Sequence, residues 1–376
     1  MLTILVVILG LSMLIIGHEA GHFFVAKLFK LKVEEFGFGL PPRIFGLRRY
    51  GGTTGGKWHF FWRERENQDA MKGLRPSDTV YSFNVLPFGG FVRIAGENDL
   101  PRPDLESQQI LAEKDKTRLF FFQPAWKRGA VMLAGVTINF IIGWLLISAI
   151  LMIGIPQSVL IAEVQKNSPA ETAGLAAGDM ILEYSGMEQF VGFVNSHKGE
   201  KIGINVMRAG QKLTFYPVPR TVVAPGEGAI GVLLQETGAA QQGFFSAIYG
   251  GLKQSLLVVK LTMTALYNLF INLLTSGSLS EGVMGPIGIL GVAQKTGELG
   301  WIYILQILAL ISINLAAMNL IPFPALDGGR FFLILVERIK GSRVSFRVEA
   351  VLNGVGFLIL LALMVAISIR DVIRLL

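Results

Sequence analysis

The 376-residue sequence contains no cysteine and few charged residues. Without cysteine it can form no disulfide and offers no thiolate, so any metal site must use His, Asp or Glu side chains. Charged residues make up 16% of the chain, hydrophobic residues make up 52%, and the mean hydropathy is +0.53. This composition is too apolar for an ordinary soluble protein, so the chain is expected to lie in a lipid bilayer.

The net charge of +7 is compatible with nucleic-acid binding. Most Lys and Arg residues, however, lie in segments that flank apolar stretches, where orientation in a membrane explains them. No nucleic-acid partner is therefore expected.

Four stretches are apolar and long enough to cross a hydrocarbon core about 30 Å thick as helices. They are 2–26, 127–154, 301–322 and 351–370. The first could also be a cleaved signal peptide, but it has no basic start and no small-residue cleavage site, which favours a retained helix. A fifth stretch, about 244–274, carries two lysines and is interpreted as an amphipathic helix on the membrane surface.

Glycine-punctuated β-like runs fill most of the segment between the first two spans, and a second β-rich segment follows the second span. The prediction is a polytopic α-helical membrane protein with about four transmembrane helices, a membrane-associated β-hairpin region and a small extracytoplasmic β-rich PDZ-like domain. Its parts are a first transmembrane helix (1–30), the β region with a cytoplasmic connection (31–125), a second transmembrane helix (126–155), the PDZ-like domain (156–235), a surface helix and loop (236–300), and the last two transmembrane helices (301–376).

The small β-rich domain has clear local signals. Ser168 with Glu171 predicts a capping box, and Gly174 is expected to end the short helix that follows. Ala209-Gly210 separates two strand-like runs as a hairpin. Around 167–186 the pattern resembles a PDZ domain, a fold that binds peptides by adding a strand to a sheet edge. A β-rich spacer without a ligand is the alternative interpretation.

His18-Glu19-Ala20-Gly21-His22 forms an HExxH motif at the end of the first apolar stretch. On a helix the two imidazoles lie on one face, where one zinc ion can reach both. Ionisable groups inside a membrane helix are costly unless they have partners, which favours a metal over a solvated cluster at the helix end.

A catalytic zinc commonly takes three protein ligands, so one ligand remains to be found. Asp327, which follows a proline-rich turn and precedes two glycines, is the leading candidate, although an ordinary helix cap explains it equally well. His59 is the rival ligand, whereas His197 is interpreted as an exposed residue of the small domain. The motifs of spans one and three meet only if both spans run in the same direction, which an intervening second span allows.

Basic residues indicate which side of the membrane the metal site faces. Residues 27–128 hold 18 of the 34 Lys and Arg residues, whereas the longer segment 155–300 holds nine. The positive-inside rule therefore places the metal site near the cytoplasmic face and the PDZ-like domain outside. Arg370 and Arg374 in the short outer tail conflict with this orientation.

The sequence resembles the bacterial site-2 protease family, and within it the RseP-type proteases. The resemblance covers nearly the whole chain. It depends on the HExxH motif, Phe36-Gly37-Phe38-Gly39, Pro87-Phe88-Gly89-Gly90-Phe91-Val92, Trp126-Lys127-Arg128, Ala134-Gly135, Asn139-Phe140, Gly285-Pro286-Ile287-Gly288 and the segment 319–329.

This resemblance implies a role for each site residue. His18, His22 and Asp327 would bind Zn²⁺, Glu19 would be the general base, and Asn319 would contact the substrate or the transition state. The region of Gly89, Gly90 and Phe91 would be a membrane-associated β loop, for which substrate binding is the leading interpretation and a structural cover over the site is the alternative. The chain departs from the family at Val136, commonly Pro, at Arg330, commonly His, and in having one PDZ-like module instead of two.

The function implied is that of a multi-pass zinc metalloendopeptidase of the cell inner membrane or plasma membrane. Its expected substrates are single-span membrane proteins, including anti-sigma factors, or remnant signal peptides. A non-enzymatic membrane scaffold presenting its PDZ-like module is the main alternative. A metal transporter would need polar groups along several spans, whereas here they cluster at one depth.

Overall fold

The computed structural model describes residues 2–52, 55–63, 75–97, 116–184, 186–208, 210–223, 228–276, 285, 288–289, 291–292, 297 and 300–375. Of the cytoplasmic connection predicted over about 96–125, residues 98–115 lie outside these residues. Two compact units are present: Met1–Leu146 with Lys253–Ala293 and Ile307–Leu376, and Ile147–Leu252 with Gln294–Gln306. In chain order the elements are α1 (Leu2–Leu28), β1 (Val33–Gly52), β2 (Gly55–Trp62), β3 (Arg75–Ile94), α2 (Ala125–Ile153), β4 (Ile155–Val164), α3 (Pro169–Ala173), β5 (Met180–Ile181), α4 (Met187–Ser196), β6 (Ile204–Arg208), β7 (Gln211–Phe215), β8 (Val232–Ala239), α5 (Phe244–Ser276), α6 (Trp301–Leu320), α7 (Asp327–Lys340) and α8 (Phe346–Leu375).

Within the described residues, five helices are long and apolar enough to cross a membrane. They are α1, α2, α5, α6 and α8, and the four spans expected from the sequence are all among them. The fifth is α5, which the sequence interpretation places on the membrane surface. A count of four spans is thus not established by length and composition, since α5 also meets both criteria.

Small residues let α1 approach α2 closely. A methyl group added at Gly21 would lie 2.6 Å from the carbonyl oxygen of Ala134, and one added at Gly17 would lie 2.8 Å from the Ile142 side chain. Close backbone approach at small residues is the usual packing mode of membrane helices. Because contacts move back along α2 as they move forward along α1, the two helices are antiparallel.

Helix α6 packs on α2 in the same manner. The Ser312 hydroxyl donates a hydrogen bond to the backbone oxygen of Asn139 (2.8 Å), and Gly143 packs against Ala309 and Ile313. Helices α2 and α6 are therefore antiparallel, so α1 and α6 run in the same direction. The convergence of the two sequence motifs requires this arrangement.

The first sheet has the order β2-β1-β3 and is antiparallel. Both β1 and β3 bend, so that the last residues of β3 fold back along the first residues of β1: Phe91 pairs with Gly37, and Ile94 pairs with Val33. In the part of the chain that the structure describes, Gly90–Ile94 pairs with no further strand on its other side. It is an edge strand, and its outward-facing backbone groups have no strand partner among these residues.

The Gly285…Gly288 motif contacts the end of α8. The backbone N–H groups of Gly285 and Gly288 donate hydrogen bonds of 2.9 and 2.8 Å to the buried carboxylate of Asp371. A methyl group on either glycine would lie within 3.0 Å of that carboxylate. Glycine is required at both positions because a side chain would keep the two amides from approaching the same carboxylate oxygen.

The second unit contains a five-stranded antiparallel sheet in the order β7-β6-β5-β4-β8. Its core includes Val159, Ile161, Phe190 and Val206, which are at most 1% exposed. The sheet extends to the end of β8, four residues past the predicted boundary at 235.

The helix end at Gly174 and the hairpin are confirmed, and the capping box is confirmed on the Ser168 side, whereas the Glu171 carboxylate accepts from the Asn167 amide instead of that of Ser168. Ser168 Oγ accepts a hydrogen bond from the Glu171 amide, Gly174 ends the helix with a φ of 90°, and β6 and β7 form the expected hairpin. The run after Asp179 forms a strand of only two residues, Met180–Ile181. Asp179 is fully buried and binds the Arg208 guanidinium through both carboxylate oxygens at 2.6 Å.

Candidate metal centre

Three potential ligand atoms meet at the junction of α1 and α7. His18 Nε2 lies 2.9 Å from Asp327 Oδ2, His22 Nε2 lies 3.3 Å from the same oxygen, and the two imidazole nitrogens are 3.2 Å apart. Their side chains are 11, 7 and 19% exposed for His18, His22 and Asp327. These three residues form a group able to hold a metal ion, and His59 is not part of it.

The spacing of these atoms fits a zinc ion. Ligands of a tetrahedral centre with bonds of about 2.1 Å lie about 3.4 Å apart, close to the three separations observed. Three lone pairs directed at one point repel each other unless a cation or protons lie between them. The donor set of two imidazoles and one carboxylate is typical of catalytic zinc, and it leaves a fourth position for water or substrate.

Space for the metal comes from Gly135 on α2. A methyl group at this position would lie 2.5 Å from His22 Nε2 and 2.7 Å from His18 Nε2. Any side chain at residue 135 would therefore displace both imidazoles.

The outer nitrogen of His22 is held by α2. Its Nδ1 lies 2.7 Å from the backbone oxygen of Val131. A carbonyl can only accept a hydrogen bond, so Nδ1 carries the proton and Nε2 is free to bind a metal.

Asn139 holds the other imidazole. Its side-chain nitrogen lies 3.3 Å from His18 Nδ1, while its Oδ1 is buried and makes no hydrogen bond. Turning the amide by 180° exchanges these two atoms, which lets Oδ1 accept the Nδ1 proton of His18. This is the tautomer that a metal bound at Nε2 requires.

Asp327 is placed by the tight turn before α7. The N-cap residue of α7 is Leu326 and no side chain caps the helix, so the reading of Asp327 as an ordinary cap is wrong. A methyl group at Gly328 or Gly329 would lie 2.3 or 2.1 Å from backbone oxygens of the preceding turn. Only glycine lets the helix start so close to this turn.

Glu19 lies between the metal group and the edge strand. Its Oε2 accepts a hydrogen bond of 3.1 Å from the backbone N–H of Val92, and Gly90 lies beside its side chain. The strand thus places an outward-facing amide directly at the proposed general base.

A cavity of about 290 Å³ opens onto the site. It is lined by Ile15, His18, Glu19, Asn139, Leu315, Asn319, Ala325, Leu326 and Asp327. Asn319, near the end of α6, therefore faces the same space as the metal group. This position is compatible with the substrate contact that the family resemblance implies.

The β-loop residues occupy different positions relative to the site. Gly89 has a φ of 89° and packs near Ile15, whereas Gly90 lies near Glu19. The Phe91 ring lies over Gly37 on β1 and is not among the residues lining the cavity. Substrate binding by these three residues stays a prediction.

The remaining histidines lie elsewhere. His59 is on β2, where it pairs with Arg48 and stacks on Phe61. His197 ends α4, and its ring is partly buried against Phe193. Neither contributes to the metal group.

Three contributors to the site were not assigned a role from sequence: Gly135, Asn139 and Val92. Each stands in a motif that carries the family resemblance, which was the only signal available. Their roles arise from contacts with residues 73 to 121 positions away.

Comparisons with known proteins agree with the donor set. The model of peptidase family M50 matches residues 6–55 and 58–363. This chain belongs to peptidase family M50, the site-2 proteases. The zinc metalloprotease RasP of Shouchella clausii is 27% identical over 461 aligned positions, covering 99% of each chain.

Two further relatives show similar coverage. RasP of Oceanobacillus iheyensis is 25% identical over 458 positions and the full length of both chains. A Clostridium perfringens protein named as a zinc metalloprotease is 28% identical over 382 positions, covering 98% of each chain. The chain is thus a zinc metalloendopeptidase and a multi-pass membrane protein, as predicted.

Gly135→Ala should reduce bound zinc at least about tenfold, because the added methyl group would overlap both imidazoles. Gly354→Ala is the matched control, since its methyl group would meet nothing within 4 Å and the gain in helix propensity is the same. Zinc per protein, measured by mass spectrometry on purified full-length variants, gives the result. Normal zinc content in Gly135→Ala would contradict the site geometry.

Asn139→Leu should weaken zinc binding by about 10- to 100-fold, since His18 would lose the acceptor that fixes its tautomer. Asn139→Asp keeps an acceptor and should retain affinity close to that of the wild type. Titration with a zinc-buffering chelator measures both. Equal affinities in the two variants would rule out the proposed amide orientation.

Proposed function

We propose that this protein cleaves peptide bonds of single-span membrane proteins or remnant signal peptides, near the cytoplasmic face, in regulated intramembrane proteolysis. The observation that carries the proposal is the convergence of His18, His22 and Asp327 beside Glu19, next to an edge strand. The first three would bind zinc and Glu19 would act as general base. A non-enzymatic scaffold is set aside because the family is one of peptidases.

Zinc, when bound, lowers the pKa of a coordinated water molecule and polarises the scissile carbonyl. Glu19 lies next to His18 in sequence and faces the same cavity. Its carboxylate would remove the proton from the attacking water and deliver it to the leaving amine nitrogen. Asn319, on the same cavity, would hydrogen-bond the substrate or the transition state.

The substrate must enter the site in an extended form, because a transmembrane helix satisfies its peptide groups internally. The edge strand Gly90–Ile94 can pair with such a segment through its outward-facing backbone groups, which no strand occupies among the described residues. Since the Val92 amide lies at Glu19, a strand paired there would pass directly beside the base. This supports substrate binding over a purely structural cover.

The orientation rests on the distribution of basic residues, which favours a cytoplasmic metal site and an extracytoplasmic second unit. Because α2 and α6 are antiparallel, the chain between them leaves and re-enters the membrane on one side. If α5 crossed the membrane, residues 277–300 would therefore have to return the chain across the membrane before α6 begins. The surface position of α5 and the count of four spans stay predictions, since the Thr262 hydroxyl of α5 donates a hydrogen bond of 2.7 Å to Asn314 on the membrane helix α6.

The second unit is proposed to be a PDZ-like module that senses the part of the substrate outside the membrane. A cleft of about 330 Å³ lies between α4 and the edge strand β8. Val191 and Val194 line it on one side, and Val232 and Leu234 line it on the other. A helix beside an edge strand is the arrangement in which PDZ domains bind an extended peptide.

Cysteine labelling tests this orientation, since any introduced thiol is the only one in the chain. Ser196→Cys should react with an impermeant maleimide in intact cells, whereas Ser342→Cys should react only after the membrane is opened. Both positions are exposed. Labelling of the two positions from the same side would refute the topology.

Replacing the base should separate chemistry from metal binding. Glu19→Gln should lower kcat at least about 100-fold with zinc retained, whereas Asp327→Ala should lose zinc. The assay is cleavage of a single-span substrate in detergent together with metal analysis. Loss of zinc from Glu19→Gln with full occupancy in Asp327→Ala would reverse the assigned roles.

A further inference from the structure

A partly buried ion pair joins the turn after strand Gly90–Ile94 to the helix that carries Asp327. The Arg330 guanidinium donates a hydrogen bond to the Glu97 carboxylate, and the two side chains are 24 and 12% exposed. The pairing spans 233 residues of sequence.

Glu97 belongs to a firmly held turn after the edge strand. Its amide donates to the backbone oxygen of Ile94, and Gly96 has a φ of 76°. The backbone oxygens of Ala95 and Gly96 accept hydrogen bonds from Phe120 and Phe121. These backbone hydrogen bonds hold Glu97 in a defined position relative to strand Gly90–Ile94.

Arg330 follows Asp327 by three residues on α7, so the two side chains lie on the same face of that helix. Asp327 Oδ2 is the oxygen that faces His18 and His22, and among the described residues it has no other hydrogen-bond partner. Its position depends on the turn before α7, whose Ala325 amide is bound to Asn353. An anchor one helical turn away would fix the rotation of α7 about its own axis.

Together with α1, these contacts connect Glu19 and Asp327 by a second path through the structure. Val92 binds Glu19, and the strand of Val92 leads to Glu97. Glu97 binds Arg330, and the helix of Arg330 starts at Asp327, which contacts His18. The proposed base and the third proposed ligand are thereby linked through a path outside α1.

We propose that Glu97 and Arg330 are positioning residues, whose ion pair holds Asp327 in ligand geometry and couples it to the edge strand. This inference rests on the assignment of Asp327 as a zinc ligand. Neither residue touches the reacting atoms. Their contribution is to keep a carboxylate within a few tenths of an ångström of its binding position, which metal affinity requires.

A second ion pair on α7 provides a matched control. Arg128 of α2 binds Glu337 at 2.5 Å, with both side chains 9% exposed. It is more deeply buried than the first pair but lies ten residues beyond Asp327. Breaking it should therefore lower stability and leave the metal site intact.

The experiment uses full-length variants and measures three properties. They are the zinc affinity by chelator competition, the visible spectrum of the Co²⁺-substituted protein, and kcat and KM for cleavage of a single-span substrate in detergent. Glu97→Gln and Arg330→Gln should each weaken zinc binding about 10- to 100-fold, alter the Co²⁺ spectrum and lower kcat with little change in KM. The charge-reversed double variant Glu97→Arg with Arg330→Glu should recover at least a third of the wild-type affinity. Arg128→Gln should lower the unfolding temperature but change affinity less than twofold.

Wild-type zinc affinity in both single variants would overturn the proposal. An equal loss of zinc affinity in Arg128→Gln, or no recovery of zinc affinity in the double variant, would overturn it as well. If either Gln variant does not fold, Glu97→Asp and Arg330→Lys replace it, with an expected loss of at least threefold. Asp327→Ala, measured beside them, tests separately whether Asp327 is a zinc ligand and whether the ion pair positions it. Zinc retained there overturns the ligand assignment and this proposal together, whereas zinc lost there but kept in Glu97→Gln overturns this proposal alone.

Discussion

The close approach of α1 and α2 is the constraint on which the rest of the site depends. Gly21 permits the contact with the Ala134 backbone, and Gly135 leaves room for the two imidazoles. At this distance α2 also reaches the outer nitrogens of the imidazoles, through the Val131 carbonyl and Asn139. A wider separation of the helices would leave both histidines without acceptors, in apolar surroundings where unpaired polar groups are costly.

Several polar groups in the described part of the chain are paired across elements. The Val92 amide binds Glu19, the Gly285 and Gly288 amides bind Asp371, and Arg330 binds Glu97. Each pairing gives a partner to a polar group that is buried or partly buried. Each also joins segments that are distant in sequence. The hydrogen bonds that satisfy these polar groups therefore also assemble the site.

The helices at the four predicted spans, the helical HExxH motif, the N-cap at Ser168 and the hairpin at Ala209-Gly210 all depend on local periodicity or turn chemistry, and the structure bears them out. The role of Asp327 was ambiguous for a physical reason. An acidic residue at the start of a helix is favoured whether or not it binds a metal, because the helix dipole stabilises it there. Only its contacts with His18 and His22 distinguish the two cases.

The sequence by itself determined that this is a membrane protein with two histidines and a glutamate on one helix, since an i, i+4 spacing places side chains together in any helix. It could not determine which groups complete the site. Asn139, Val92, and the pair of Glu97 and Arg330 act across 73 to 233 residues of sequence. Their contacts are decided by helix crossing and by the fold-back of β3, because a one-residue slip in strand register would turn the Val92 amide away from Glu19.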